Sequence, residues 1–428
     1  MTQVSERSQH AGQETKSPAL HALAADFELR HLSPEFLDDP YPTYRALRDL
    51  DPIHRMSDGS YFLTRYDDCL AVYRDPQTWS SDKKRDFRPN FSDSLLYEHH
   101  TTSLVFNDPP YHTRVRKLLA PAFAPRALSA LQSRVEMLVE QLLDDAARKH
   151  EIDLIADFAA AIPVALIGDM LGIPPDEREP LRGWSLAILG ALEPVLSPQQ
   201  LETGITAVAD FKDYLNTIIA HRVRTGQGDP AEILSKLIGA SAFAEINEGG
   251  EQLSKLELIH NCIFLLNAGH ETTTNLIGNA VDLLIRHPEA MRDLRAHLEA
   301  LESAVEEFLR MESSNQLGNR RAAHDTKLGG LEMTAGSYVH ICIGAANRDP
   351  QQFADPDRLD IRRHPNRHLA FATGIHACAG MSLARMEAQV AIGRLLQRFA
   401  RIEPAGVPVR GRRARFRGFS SYPVRLGG

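Results

Sequence analysis

The chain has 428 residues, 43% of them hydrophobic and 24% charged, with a formal net charge of −8. That is the composition of an ordinary globular protein able to bury a sizeable core, and its acidic balance argues against nucleic acid, whose phosphates need a concentrated positive surface. The four cysteines, Cys69, Cys262, Cys342 and Cys378, lie far apart with no paired spacing for zinc or a disulfide framework, so a reducing cytoplasm is the expected compartment.

Residues 1–25 read as a disordered N-terminal tail, because the first twenty are polar with scattered charges and lack the apolar run of a signal peptide or a membrane span. No linker or repeat divides the remainder of the chain, so 26–428 are expected to form one domain. A short strand is predicted at Tyr61-Phe62-Leu63-Thr64. Downstream, Asp108-Pro109-Pro110-Tyr111-His112-Thr113-Arg114-Val115-Arg116 sets His112 and Arg116 four apart, on one face of a helix. Arg114, Arg116, Lys117 and Arg126 make this segment positive, as Arg362, Arg363 and Arg367 do a later one. Such runs are solvated surface by default and a dock for an acidic protein if the fold unites them.

Apolar residues recurring at three and four predict helices over 127–147, 205–223, 256–285, 288–311 and 382–399. The stretch Gly226-Gln227-Gly228-Asp229-Pro230 breaks the pattern, and Ser254-Lys255-Leu256-Glu257 reads as a capping box opening the longest helix. In the middle of that helix lies Asn267-Ala268-Gly269-His270-Glu271-Thr272-Thr273-Thr274. Mid-helix Gly and Thr weaken a helix, and a structural kink is one explanation, since Thr can bond back to a carbonyl one turn earlier. His270 reads as a packing or surface residue. Glu307 and Arg310 share a helix face, a spacing common in any charged helix. Further strands are predicted at 337–341 and 422–426, giving a mainly α protein with a small β portion.

The most informative stretch is Phe371-Ala372-Thr373-Gly374-Ile375-His376-Ala377-Cys378-Ala379-Gly380. A lone intracellular cysteine is ordinarily a small buried hydrophobe. Here it sits between glycines at the start of a helix, where the backbone can approach a ligand closely and the thiolate is favoured. That geometry suits sulfur held against a flat metal cofactor.

Phe371, Gly374, His376, Cys378 and Gly380, continued by Leu383-Ala384-Arg385, resemble the haem-binding loop of the cytochrome P-450 family. Ala372 and Thr373 stand where that family often has glycine. Ala268-Gly269-x-Glu271-Thr272-Thr273 resembles its oxygen-binding motif, and Asn347-Arg348-Asp349-Pro350 with Phe353 completes a likeness running from Pro34 to Leu426.

The resemblance implies the helix-rich, haem-enclosing P-450 fold with a smaller β-sheet portion, and haem b bound through Cys378 as the metal ligand. Phe371 would pack near the sulfur, and the amide of Gly380 would bond it. His112, Arg116, Arg320 and His368 would meet the propionates, with Arg321 leaving the choice of strand arginine open by one residue. Within the catalytic segment that also includes Ala268, Gly269 would make room for dioxygen, Thr272 would hydrogen-bond the bound oxygen and Glu271 would relay protons from solvent. Glu307, Arg310 and Arg358 would form a structural ionic triad. The substrate pocket would draw on Phe264, Asn267, Gln316, Leu317 and Phe419, with the 88–106 loop and the 181–211 region.

The implied activity is that of a monooxygenase, which inserts one atom of O2 into a small or medium-sized organic substrate, by hydroxylation or dealkylation, and reduces the other to water. No flavin or iron–sulfur region is recognisable, so electrons are expected from another protein; the resemblance implies a separate ferredoxin served by an NAD(P)H-dependent ferredoxin reductase, docking at the Arg-rich segments. The alternatives are oxidative coupling or peroxide-driven chemistry at the same site, and a non-catalytic haem sensor.

Overall fold

The computed structural model describes residues 18–226, 228, 232–239, 241 and 252–427. Its principal helices, in chain order, are α1 (Pro18–Ala25), α2 (Leu95–Thr102), α3 (Tyr111–Leu119), α4 (Pro125–Lys149), α5 (Ala161–Leu171), α6 (Glu179–Gly190), α7 (Pro198–Thr225), α8 (Ile233–Gly239), α9 (Lys255–Arg286), α10 (Pro288–Ala296), α11 (Leu301–Met311) and α12 (Met381–Arg398). The expected tail therefore ends sooner than residue 25: 18–25 are helical and Ala24 is buried against the first aromatic cluster, while 1–17 lie outside the described residues.

The long helix α9 starts where its capping box predicts, with Ser254 Oγ accepting from Glu257 N–H and the Glu257 carboxylate accepting from Ser254 N–H. At 1.5 Å per residue its 32 residues span about 48 Å, and its buried side chains run almost unbroken from Leu258 to Leu284. It is the axis of the main core, with α5, α6, α7, α11 and α12 laid against it. Gly226 ends α7 at φ +65°, a left-handed turn that a Cβ would strain; Gln227, Asp229 and Pro230 of the expected break lie outside the described residues.

The helix expected over 288–311 is two helices. His297 leaves helical geometry at φ −138°, ψ 70°, and its Nδ1 lies 2.9 Å from Asp293 Oδ1 on the preceding turn. Met291, Leu294, Ala304, Val305 and Phe308 stay buried on both sides of the break, which is why the apolar period reads straight across it.

A five-stranded sheet stands beside this helical mass: β1 (Ile53–Arg55), β2 (Tyr61–Leu63), β3 (Trp79–Ser80), β4 (Leu317–Ala322) and β5 (Tyr338–Cys342), in the order β1-β2-β5-β4-β3. Central β5 pairs parallel with β2, Tyr61 opposite Val339, and antiparallel with β4, Arg320 opposite Val339. Within β4, neighbouring side chains leave opposite faces, so Arg320 and Arg321 cannot reach the same partner. Among the described residues one stretch, Leu154–Leu171, is long and apolar enough to cross a membrane, and 67% of it is buried in the core.

The structure corrects the ionic triad. Arg310 makes a two-pronged bond to Glu307 (Nε to Oε2 2.7 Å, Nη2 to Oε1 2.8 Å) with both side chains fully buried, and also donates to the carbonyls of Asn347 and Pro356. The third member is Arg363, its Nε 3.2 Å from Glu307. Arg358 is exposed, and only its carbonyl joins the cluster, accepting from Arg310 Nη2 at 3.3 Å. Asp360 N–H and Asn366 Nδ2 fill the remaining acceptor sites on Glu307, so the segment from 358 to 366 is wound around that carboxylate.

Removing Arg310 strands a carboxylate in the core, so Arg310→Ala should cost roughly 3 to 5 kcal/mol, whereas exposed Arg358→Ala should change stability by less than about 0.5 kcal/mol. Chemical denaturation of the two purified variants measures the contrast; equal losses would restore Arg358 to the triad.

Candidate active site

Between α9 and α12 lies a cavity in which the centres of water molecules have about 340 Å³ of space. One wall is the 371–380 loop. Ala372 (φ +53°) and Gly374 (φ +73°) both turn left-handed, and a Cβ at Gly374 would stand 2.5 Å from the Tyr73 carbonyl oxygen. The loop closes through Cys378 N–H donating to Phe371 O at 2.9 Å, then enters α12 at Gly380. Burial pushes the Cys378 thiol up, while the Gly380 N–H, Arg116 and Arg385 pull it down. Phe371 lies beside it, under the Arg385 guanidinium at 4.8 Å.

The rim of the cavity is cationic. Arg116 and Arg320 both reach it, and among the described residues neither has a carboxylate partner. Arg320 bonds only the neighbouring Asn319 carbonyl and covers the Tyr73 ring at 5.3 Å; burial lowers its pKa. Arg321, on the opposite sheet face, is bound to Asp86, and Arg320 is the one of the two that lines the cavity. His112 and His376 lie with ring centroids 4.1 Å apart, both His112 nitrogens and His376 Nε2 being buried without partners. Burial holds both imidazoles neutral, His376 down at about 2.

His368 is not among the cavity residues. Its Nε2 lies 3.2 Å from Glu306, which also takes two 2.7 Å bonds from Arg385. Burial opposes ionisation of Glu306, yet His368 and Arg385 hold it down at about 2. The histidine that faces the rim is His376, whose place two residues before Cys378 is visible in the sequence without revealing that role.

The facing wall comes from α9. Ala268, Gly269 and Thr272 line it, and Thr272 Oγ1 donates to Ala268 O at 2.7 Å. A Cβ on Gly269 would stand 2.5 Å from Ile167 Cδ1 on α5, so a larger residue here would have to displace that side chain. Glu271, one residue earlier than Thr272, points elsewhere. It accepts from Arg413 Nη1 at 2.6 and 2.7 Å, and burial lifts it to about 7 against the pull of that arginine. His270 is packed within the core, its Nδ1 3.2 Å from Ser185 Oγ, as a non-ligand should be.

Of the expected pocket residues, Phe264, Asn267 and Leu317 line the cavity. Gln316 and Phe419 do not. Gln316 is buried behind the wall, its Nε2 donating to Ser313 O, and Phe419 lies under Arg410 and against Tyr422. The hairpin of Val409–Arg410 and Phe419–Ser421 carries its loop inward instead, bringing Arg415 and Phe416 to the cavity. The 88–106 segment contributes His99 and His100, at the C-terminal end of α2, to the lining, and sequence reading passes over Glu387 on α12. Glu387 is fully buried with one unpartnered oxygen, and burial lifts it to about 8. Nothing in the sequence distinguishes it from a surface carboxylate of an amphipathic helix.

A planar, apolar ring system with two carboxylates and a metal that takes sulfur fits these residues. The unpartnered His112 and His376 nitrogens and the unpaired Arg116 and Arg320 would meet the carboxylates, the Cys378 sulfur the metal, and apolar walls such as Leu276 and Leu383 the ring.

Comparison with known proteins agrees. The family model described as Cytochrome P450 matches residues 44–413. The chain is 36% identical to Cytochrome P450 107B1 of Saccharopolyspora erythraea, over 92% of its own length and 96% of that protein's. Two solved structures superpose closely: P450BioI in complex with hexadec-9Z-enoic acid ligated acyl carrier protein, at TM-score 0.84, 33% identity and coverage of 92% and 100%, and CYP109E1 from Bacillus megaterium in complex with testosterone, at 0.83, 30% and coverage of 93% and 100%. The shared helical frame, the cysteine loop and the cation-rimmed cavity have one explanation: the chain belongs to the cytochrome P450 family and is a P450 monooxygenase.

Proposed function

We propose that this enzyme hydroxylates or dealkylates a medium-sized, largely apolar organic molecule, using haem b ligated by Cys378 and electrons from a separate ferredoxin with an NAD(P)H-dependent reductase. The observation that carries the reading is the cavity itself, where one sulfur faces apolar walls under a rim of cations without counter-ions. Bound haem supplies the iron that activates dioxygen, with the thiolate favouring cleavage of the O–O bond. The protein's own residues do the rest. His112, Arg116, Arg320 and His376 hold the propionates; Phe371 shields the sulfur and the Gly380 N–H tempers its charge. Residues 26–428 act as one domain, and four free cysteines suit a reducing, cytoplasmic setting.

Thr272 and Glu271 handle protons from different sides. The Thr272 hydroxyl faces the cavity, and Glu271 stands behind it next to Arg413, whose side chain is 22% exposed. A carboxyl near 7 both takes and gives a proton at neutral pH, so Glu271 suits a relay between the surface and the hydroxyl. The same acid–alcohol pair favours oxygen activation over oxidative coupling, peroxide-driven chemistry or a sensor. Apolar walls including Phe264, Ile167 and Leu317 hold the substrate, a setting in keeping with relatives crystallised with a fatty acyl chain and with a steroid.

The docking face is revised from the residues nearest the cysteine loop. Arg114 is tied to Glu257 and to the Gln252 carbonyl, Arg362 to Asp293 and Arg363 to Glu307, which leaves them structural work. Arg126 is exposed at the start of α4, three residues after Phe123, which lies against Gly380. We assign the ferredoxin contact to exposed Arg126 and Arg367, each close in sequence to a residue that packs at the cysteine loop.

Four measurements test this reading. The reduced carbon-monoxide complex should show the Soret band of thiolate ligation and lose it in Cys378→Ala. Arg320→Leu or His376→Phe should release haem about 10 to 100 times faster, the loss of one charge-assisted bond, while His368→Phe should release it at the wild-type rate. Equal rates for all three would return His368 to the propionates.

Glu271→Gln should lower product formation about a hundredfold and abolish its pH dependence near 7. Arg413 lowers the Glu271 pKa, so Arg413→Ala should move that limb to higher pH; a shift to lower pH would remove Glu271 from the relay. Finally, Arg126→Glu should slow reduction by ferredoxin several-fold at low salt and flatten its ionic-strength dependence, with unchanged substrate affinity.

A further inference from the structure

A polar chain crosses the protein from its surface to the cavity. Lys212 Nζ lies 2.6 Å from Glu98 Oε1, that carboxylate 2.9 Å from His260 Nε2, His260 Nδ1 3.3 Å from His99 Nδ1, and His99 Nε2 3.4 Å from Asn267 Nδ2. Glu98 is 35% exposed at one end; His99, His260 and Asn267 are buried, and His99 and Asn267 line the cavity at the other. Asn267 Oδ1 is buried and has no partner in the protein.

Each link has a direction, and the first decides the last. A carboxylate paired with Lys212 only accepts, so His260 must carry its proton on Nε2. Burial disfavours a second proton on His260 and on His99, so His260 Nδ1 is a lone pair and His99 Nδ1 bears the hydrogen that meets it. His99 Nε2 is then also a lone pair, and the side-chain amide of Asn267 must turn its NH2 toward it. The reverse amide orientation would set two acceptors against each other.

We propose that this chain makes Asn267 a hydrogen-bond acceptor toward the substrate, so that the site selects molecules bearing a hydroxyl or N–H group, with Glu98 as the remote positioning residue. The proposal rests on the P450 reading in taking the cavity as the substrate site. A donor finds the free Oδ1 of Asn267; a ketone, ether or carboxylate at the same point leaves that oxygen unsatisfied or opposes it.

Nitrogen-15 NMR of histidine-labelled holoenzyme, in its diamagnetic ferrous carbon-monoxide form, should find His260 protonated at Nε2 and His99 at Nδ1. His99 protonated at Nε2 would overturn the proposal. Soret titrations with 1-naphthol and 1-methoxynaphthalene should favour the naphthol about five- to tenfold, the worth of one hydrogen bond. That preference should fall below about twofold in Asn267→Leu and in the half-exposed variant Glu98→Leu. Equal affinities in the wild type, or a preference that survives both substitutions, would refute it. Absence of a thiolate-type carbon-monoxide spectrum in the wild type would instead defeat the P450 reading, so the two failures are distinguishable.

Discussion

Unpaired positive charge around a cavity is the constraint on which the rest of this structure depends. Arg116 and Arg320 reach an apolar enclosure without a carboxylate among the described residues to meet them, next to both nitrogens of His112 and Nε2 of His376, which bond nothing there. Removing such groups from water costs several kcal/mol each, and no carboxylate among the described residues offsets it. A dianionic planar cofactor would, so its binding would stabilise the folded chain. The cysteine loop obeys the same logic: its left-handed turns at Ala372 and Gly374 make sense where sulfur must be presented at a set depth rather than packed away.

Holding that cavity open requires support that does not yield. Behind the loop, Glu307 is enclosed by Arg310, Arg363, Asn366 and the Asp360 amide, and Glu306 joins His368 to Arg385 on α12. Both carboxylates belong to α11, and apart from Arg310 on the same helix their partners come from the loop before Cys378 and the helix after it. Adjacent positions on one helix thus brace both ends of the cysteine loop, which keeps the sulfur's setting independent of surface motion. His368 serves this brace rather than the cavity.

The distal wall divides its duties by helical geometry. Successive residues on α9 are about 100° apart, so Thr272 faces the cavity while Glu271 faces Arg413. Asn267 belongs to the cavity face as well, and its amide is oriented from the far side by two histidines on α2 and α9. The proposed proton relay and the proposed substrate contact thus fall to different residues of one helix, each tied to a different part of the surface.

The elements whose signals are local were legible in the residues themselves. The capping box at Ser254, the apolar periods of α4, α7, α9 and α12, the strands at 61, 338 and 423, and the glycine-framed cysteine are all set within a few residues, by backbone preference and side-chain spacing. Which distant groups meet was decided by the tertiary structure. Arg363 displaced Arg358 because the segment after residue 355 winds around Glu307, His376 rather than His368 faces the rim because Glu306 captures the latter, and Arg415 with Phe416 replaced Phe419 because a hairpin turns its loop inward. A helix phase or a turn is set by neighbours in sequence, whereas an ion pair is set by where separate chain segments come to rest, and a charge reads the same in sequence whichever partner it finds.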